Sequence, residues 1–148
     1  MDKTDIYEVF DDSARQLLLD AIAEAELNTS GEVRIHIDKT CKGSHLDRAA
    51  FIFEELEMHK TAARNGVLLY FALKDRKFAI LGDVGINAMV PADFWDVTRD
   101  VMKKHFVKGD FVGGLSTGAR MAGEQLKSFF PYQSDDVNEL SDEISFGD

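Results

Sequence analysis

Apolar residues in the first part of the chain repeat with two different periods. Over residues 12–27 they recur at helical spacing, and Asp and Ser residues suited to capping precede them. Over residues 32–38 apolar and polar residues alternate, which is typical of a strand with one buried and one polar face. Helical spacing returns over residues 46–61. The pattern therefore predicts a helix, a strand and a second helix.

The middle of the chain contains an unbroken apolar run at residues 67–73, which is typical of a central strand covered on both faces. A polar turn at 74–77 leads to a shorter apolar run at 78–81, which predicts an antiparallel partner. A third helix is predicted to begin at Pro91, because proline favours the first helical position. A fourth helix is predicted over residues 114–130.

This order of elements predicts an α/β fold. A strand, a helix and a parallel strand require a right-handed crossover, and the third strand then returns as a hairpin. The expected architecture is a three-layer α/β/α sandwich, Rossmann-like, with a mixed sheet. Residues 1–130 are predicted to form one domain. Residues 131–148 contain acidic residues and no Lys or Arg, and they are predicted to be a tail.

Charge and composition narrow the classes of function. The formal net charge of −10 argues against nucleic-acid binding, which needs a basic surface, and is compatible with metal ions as partners. No apolar run approaches the roughly 20 residues of a membrane-spanning helix, so membrane insertion is not expected. The N-terminus shows no signal-peptide pattern, and Cys41 is a single cysteine. These features predict a cytoplasmic setting, and they leave open whether a protein partner exists.

The predicted topology gathers oxygen-bearing side chains at one edge of the sheet. The N-terminal ends of the two parallel strands and the C-terminal end of the antiparallel strand meet there, beside the glycine-containing loop 82–87. A second glycine-rich loop, 108–114, is expected to fold over the same end. The candidate ligands are Glu32, Asn65, Asp83, Asn87, Asp93 and Asp110.

Carboxylate and amide oxygens are hard ligands that suit Ca²⁺ or Mg²⁺ better than soft metals. The histidines show no zinc-ligand spacing. The alternative is that Asp83 and Asp110 are turn formers and that Asp93 lies in the first turn of a helix, where the helix dipole favours it. Spacing alone leaves both interpretations open.

Three stretches together resemble the TPM domain family. They are TSGEVRI at residues 29–35, the segment from RNGVLLY to Gly-Asp at residues 64–83, and GDFVGGL at residues 109–115. The resemblance extends over residues 10–130. It implies a Rossmann-like α/β/α sandwich with a metal site in the loops at one sheet edge. Acid phosphatase activity has been credited to some members of that family.

Two functions follow as hypotheses. The first is a divalent-metal-binding interaction or stress-related module without chemistry of its own. The second is a metal-assisted acid phosphatase, in which the ion polarises a phosphoryl oxygen and a carboxylate orients water. The sequence favours the first, because only Arg64 and Lys108 offer positive charge near these loops.

Overall fold

The computed structural model describes residues 5–131 and 144–147 of the chain. Helices alternate with strands along most of it. The elements are α1 (Ile6–Val9), α2 (Asp12–Glu26), β1 (Glu32–Asp38), α3 (His45–Glu55), a 3₁₀ turn (Met58–Lys60), β2 (Gly66–Ala72), β3 (Lys77–Gly82), α4 (Val84–Asn87), α5 (Asp96–Val107), α6 (Phe111–Phe129) and β4 (Ser145–Gly147).

The strands form one mixed sheet in the order β3-β2-β1-β4. β1 pairs in parallel with β2, and β3 pairs antiparallel with β2. β4 lies in parallel against the other side of β1. The predicted mixed α/β fold is therefore confirmed, and the three strands predicted from periodicity are all present.

Helices cover both faces of this sheet. Val33, Ile35 and Ile37 of β1 pack into a core with α2, α5 and α6. Leu68 and Tyr70 of β2 face the other side, where α3 covers them. Every residue of β2 is buried, which agrees with the unbroken apolar run that predicted a doubly covered strand. Within the described parts of the chain, no helix is long and apolar enough to cross a membrane.

Two helix boundaries differ from the predicted ones. α5 begins at Asp96 rather than at Pro91, because the chain first makes tight turns in which Phe94 N–H donates to Pro91 O and Asp96 N–H to Asp93 O. α3 ends at Glu55 rather than near residue 61, because Glu57 adopts a left-handed conformation with φ of 57° that a helix cannot contain.

The structure also differs from the prediction of a C-terminal tail without secondary structure. Residues 145–147 form β4, and Ile144 and Phe146 pack against the core that α2 contributes to. Three residues are too few for a periodic pattern to predict a strand. The remainder of the predicted tail, residues 132–143 and 148, lies outside the described residues.

Helix α6 packs closely on two neighbours through its glycines. A Cβ at Gly118 would overlap the side chain of Met102 in α5. A Cβ at Gly123 would overlap the backbone of Ala25 in α2, closer than real Cβ contacts come. Glycine at position 123 therefore sets the distance between α2 and α6.

We expect Gly123→Ala to destabilise the fold by about 1–3 kcal/mol, since the added methyl meets rigid backbone and must push two helices apart. This loss should appear despite the gain in helix propensity that alanine brings. Gly43→Ala is the matched control, because a Cβ at Gly43 has nothing within 4 Å. Urea denaturation of both variants measures the effect. Equal stability of the two would contradict the packing argument.

The N-terminus of α6 is capped by Asp110. Its carboxylate accepts hydrogen bonds from the Gly113 N–H at 3.0 Å and from His105 Nδ1 at 2.9 Å. The hydrogen bond from His105, together with that from Gly113, holds the pKa of Asp110 below its usual range. Asp110 is thus a helix cap, which explains the Gly-Asp-Phe sequence without a ligand.

Asp110→Ala should lower stability by about 1 kcal/mol at neutral pH, because the cap is lost. A carboxyl group with a lowered pKa stabilises the fold above its unfolded-state pKa, and this contribution disappears as the pH falls through the folded-state value. Thermal melting at several pH values should therefore show a difference between wild type and Asp110→Ala that shrinks below about pH 4. Asp110→Asn, which keeps an acceptor oxygen, should lose less. A difference that does not change with pH would contradict the charged cap.

Candidate functional site

Three residues lie in a row across one edge of the sheet. Glu32 at the start of β1 is in register with Gly66 at the start of β2. On the other side of Gly66, the N–H of Asp83 donates to the Gly66 carbonyl at 3.0 Å. We call the group Glu32, Arg64, Asn65, Gly66 and Asp83 the Asp83 edge. The predicted meeting of these strand ends is therefore present.

Gly66, at the middle of this row between two acidic residues, has no side chain of its own, and Met58 packs against it. Strand spacing places the Cα atoms of Glu32 and Asp83 about 10 Å apart. Gly66 lies on the face towards α3, where a Cβ would be 3.2 Å from the carbonyl oxygen of Met58.

Asp83 is buried and paired with a single arginine. It is 5% exposed, and its two carboxylate oxygens accept from Arg64 Nε at 2.8 Å and Arg64 Nη2 at 2.9 Å. It also accepts from the Val84 N–H at 2.7 Å, which caps α4. The Arg64 side chain is 44% exposed. The buried Asp83 carboxylate is therefore neutralised by an arginine whose side chain reaches into solvent.

Asn65 lies beside this pair and is 1% exposed. Its Nδ2 donates to Ser30 Oγ at 3.3 Å, whereas its buried Oδ1 has no hydrogen-bond partner. Buried polar atoms are almost always satisfied, so such an oxygen needs an explanation. An amide oxygen with a free lone pair is a suitable ligand type for a hard cation.

Two further predicted residues lie at the same end of the sheet but at the surface. Asn87 is exposed, and its Nδ2 donates to the Gly82 carbonyl at 3.0 Å. Asp93 is exposed in the turn before α5. The Asn87 N–H donates to the Asp83 carbonyl at 3.0 Å within the α4 turn. Among the described residues, neither side chain has a hydrogen bond to the Asp83 carboxylate that the structure shows, so both are outer residues of this edge.

Asp110 lies at the opposite end, which corrects the expectation that loop 108–114 folds over the same edge. The ring of Phe111 packs on Phe71 near the far end of β2, with centroids 5.3 Å apart. The other end of α6 contacts the Asp83 end, where Ser30 N–H donates to Phe130 O at 2.9 Å. α6 spans about 28 Å between these ends. The loop lies at the far end because α5 leads away from the Asp83 end, where Trp95 lies near Gly82, to the other end, where Phe106 packs on Phe71.

The oxygen set at the Asp83 edge fits Ca²⁺ or Mg²⁺ in chemistry. In the described part of the chain no three His, Cys, Asp or Glu residues are grouped as a metal cluster. Mg²⁺ usually takes one or two carboxylates and keeps several waters, so a site of this kind needs no such cluster. Asp83, Glu32 and Asn65 are the residues that would hold the ion, and Arg64 would have to release Asp83.

A cavity of about 290 Å³ opens beside Asp83 towards α3. It combines a guanidinium, an imidazole and two carboxylates with apolar walls. Its lining residues are Ala50, Phe53, Glu54, His59, Arg64 and Asp83. Hydrophobic periodicity does not connect His59 with this edge, because the left-handed turn at Glu57, which redirects the chain, has no periodic signature.

A second polar group, which sequence reasoning missed, lies at the opposite end of β1. Asp38 is fully buried and accepts from His36 Nε2 at 2.7 Å, Arg48 Nε at 2.8 Å and the Tyr70 hydroxyl at 2.6 Å. We call these four residues the Asp38 cluster. The signal that could have found it is the polar face of β1, where His36 and Asp38 alternate with buried apolar residues.

Hydrogen bonds within the Asp38 cluster stabilise the negative charge of Asp38. Burial alone would raise the pKa of Asp38, but the hydrogen bonds from His36, Arg48 and Tyr70 outweigh it and hold the pKa well below its usual range. Ser145 Oγ lies 2.7 Å from His36 Nδ1, so Ser145, His36 and Asp38 follow the order of a hydrolase triad. Asp38 is neutralised by Arg48 beneath β4, however, and the group serves to hold that strand.

Comparison with known proteins agrees with this architecture. The family model for the TPM domain matches residues 3–125. The NMR structure of the BA42 protein from the psychrophilic bacterium Bizionia argentinensis is similar at 44% sequence identity and a TM-score of 0.85. The match covers 91% of this chain and 93% of that one. No curated protein matches. On the family model and this structural similarity, the chain belongs to the TPM domain family.

Proposed function

We propose that this TPM domain binds a divalent cation, Ca²⁺ or Mg²⁺, at the Asp83 edge and acts as an interaction module without chemistry of its own. The observation that supports this is the pairing of a buried carboxylate with a half-exposed arginine. Asp83 is 5% exposed and the Arg64 side chain is 44% exposed. A buried charge needs a counter-charge, and Arg64 can be exchanged for an ion more easily than a buried partner can.

The exchange is favoured by the atoms around the pair. Arg64 can turn into water, where its guanidinium is well solvated. The cation would then neutralise Asp83 and give the unpartnered Oδ1 of Asn65 a ligand role. Two carboxylates and one amide oxygen, with water as the remaining ligands, predict weak binding, with a Kd of about 10⁻⁴–10⁻³ M for Ca²⁺.

A non-catalytic role agrees with the hydrogen bonding of the buried acids Asp83 and Asp38. Both oxygens of Asp83 are held by Arg64, and Asp38 is closed in by three donors. Neither is positioned to activate water. We place the domain in a reducing, cytoplasmic setting, because Cys41 is a buried free thiol.

The cavity beside Asp83 favours a second candidate, the metal-assisted acid phosphatase. Arg64 and His59 both line it. A guanidinium stabilises the charge that develops on phosphoryl oxygens, and an imidazole can protonate a leaving group. In this function Arg64 would be required, whereas in the first function it competes with the cation. The two candidates therefore make opposite predictions for Arg64.

Titration with Ca²⁺ and Mg²⁺, followed by NMR, should shift the amide signals of residues 64–66 and 82–87 first. Asp83→Asn should weaken binding at least tenfold, since it removes the charge but keeps a capping acceptor for α4. Asp110→Asn is the matched control at the opposite end, and its cation affinity should equal that of wild type. Equal loss in both variants, or an unchanged affinity of Asp83→Asn, would show that the cation does not bind at this edge.

Arg64→Gln distinguishes the two candidate functions. If Arg64 competes with the cation, the variant should bind Ca²⁺ several-fold more tightly, and Ca²⁺ should raise its melting temperature more than that of wild type. If the domain is a phosphatase, the variant should lose Mg²⁺-dependent hydrolysis of p-nitrophenyl phosphate. Arg99→Gln, in an exposed ion pair with Asp96, is the control and should change neither property. Weaker cation binding by Arg64→Gln would contradict the exchange model.

A further inference from the structure

β4 lies in a groove along the outer side of β1. Ser145, Phe146 and Gly147 are in register with His36, Ile37 and Asp38. At the end of the groove the Lys39 N–H donates to the Gly147 carbonyl at 3.0 Å. The backbone of β1 therefore holds an extended segment by strand addition, a mode that many peptide-binding domains use.

Each residue of β4 meets a different feature of the groove. Ser145 Oγ lies 2.7 Å from His36 Nδ1. The ring of Phe146 packs on Tyr7, with centroids 5.6 Å apart, and under the Arg15 guanidinium at 5.9 Å. These two contacts select a hydroxyl group followed by an aromatic ring.

The third position accepts only glycine. A Cβ at Gly147 would be 3.1 Å from His36 Nε2 and would overlap the Asp38 carboxylate. Asp38 cannot move aside, because His36, Arg48 and Tyr70 fix both of its oxygens. The rigid Asp38 cluster thus gives the groove a strict size limit.

The occupant is held less firmly than the groove that receives it. β4 has three residues, and each is only partly buried. His36, Arg48 and Tyr70, by contrast, are tied to Asp38 by hydrogen bonds that do not involve β4. Short strands with few buried contacts open locally at low free-energy cost, whereas buried networks do not. The groove can therefore persist when β4 leaves it.

We propose that this β1 groove is a docking site for an extended peptide segment of a partner protein with the pattern hydroxyl residue, aromatic residue, glycine, and that β4 occupies it in cis as an internal competitor. A tethered segment has an effective concentration of the order of millimolar, so a partner segment binds when it is abundant or when β4 is displaced. The groove is at the opposite end of β1 from the Asp83 edge, and this proposal does not depend on cation binding.

The test uses the full chain with Gly147→Val, which should expel β4, and a fluorescent peptide with the sequence of residues 142–148, DEISFGD. The peptide should bind the variant at least tenfold more tightly than wild type, because the internal competitor is gone. The same peptide with valine in place of its glycine should not bind. Gly43→Val introduces the same substitution at a position where a Cβ has nothing within 4 Å. This control variant should bind the peptide with the affinity of wild type.

Amide hydrogen exchange on the variant separates the outcomes. Fast exchange at residues 145–147 with a folded NMR spectrum, combined with no peptide binding, would overturn the proposal. Persistent protection of residues 145–147 would also overturn it, since the groove would then accept valine. If Gly147→Val does not fold, Phe146→Ser provides a second way to release β4, and the same peptide must then bind that variant.

Discussion

Burial of β2 on both faces is the constraint on which the rest of the structure depends. All seven of its residues are buried, so α3 must cover one face and α2, α5 and α6 the other. The buried carboxylates of the described residues, Glu32, Asp38 and Asp83, lie at the ends of strands, where the sheet meets its loops. Asp38 and Asp83, both buried and each paired with an arginine, lie at opposite ends of the sheet.

The two pairs have similar geometry and different surroundings. Asp38 receives Arg48 together with His36 and Tyr70, so removal of one donor leaves others in place. Asp83 has Arg64 as its paired cation, and the Arg64 side chain is 44% exposed. The number of buried donors therefore decides whether an Asp–Arg pair is a fixed structural element or an exchangeable one.

The sequence predicted the fold better than the site, and the physical reason is visible at particular residues. Alternation and apolar runs defined β1, β2 and β3, because burial acts on each residue locally. Periodicity predicts that a helix is present but not at which end of the sheet it stops. For this reason the prediction that Asp110 lies near Asp83 was wrong. The Asp38 cluster joins β1 to Arg48 and, through β4, to Ser145. Contacts between such distant positions leave no local pattern.

Both candidate sites use the same face of β1, with Glu32 at one end and Asp38 at the other. Six residues of extended strand separate them by about 20 Å. This distance exceeds the screening length of about 8 Å at physiological ionic strength, so a charge change at one end is weakly felt at the other. Coupling would need a movement of β1, and β1 is fixed by its buried apolar face. The proposed cation edge and the proposed peptide groove should therefore behave independently, and variants at the two should have additive effects.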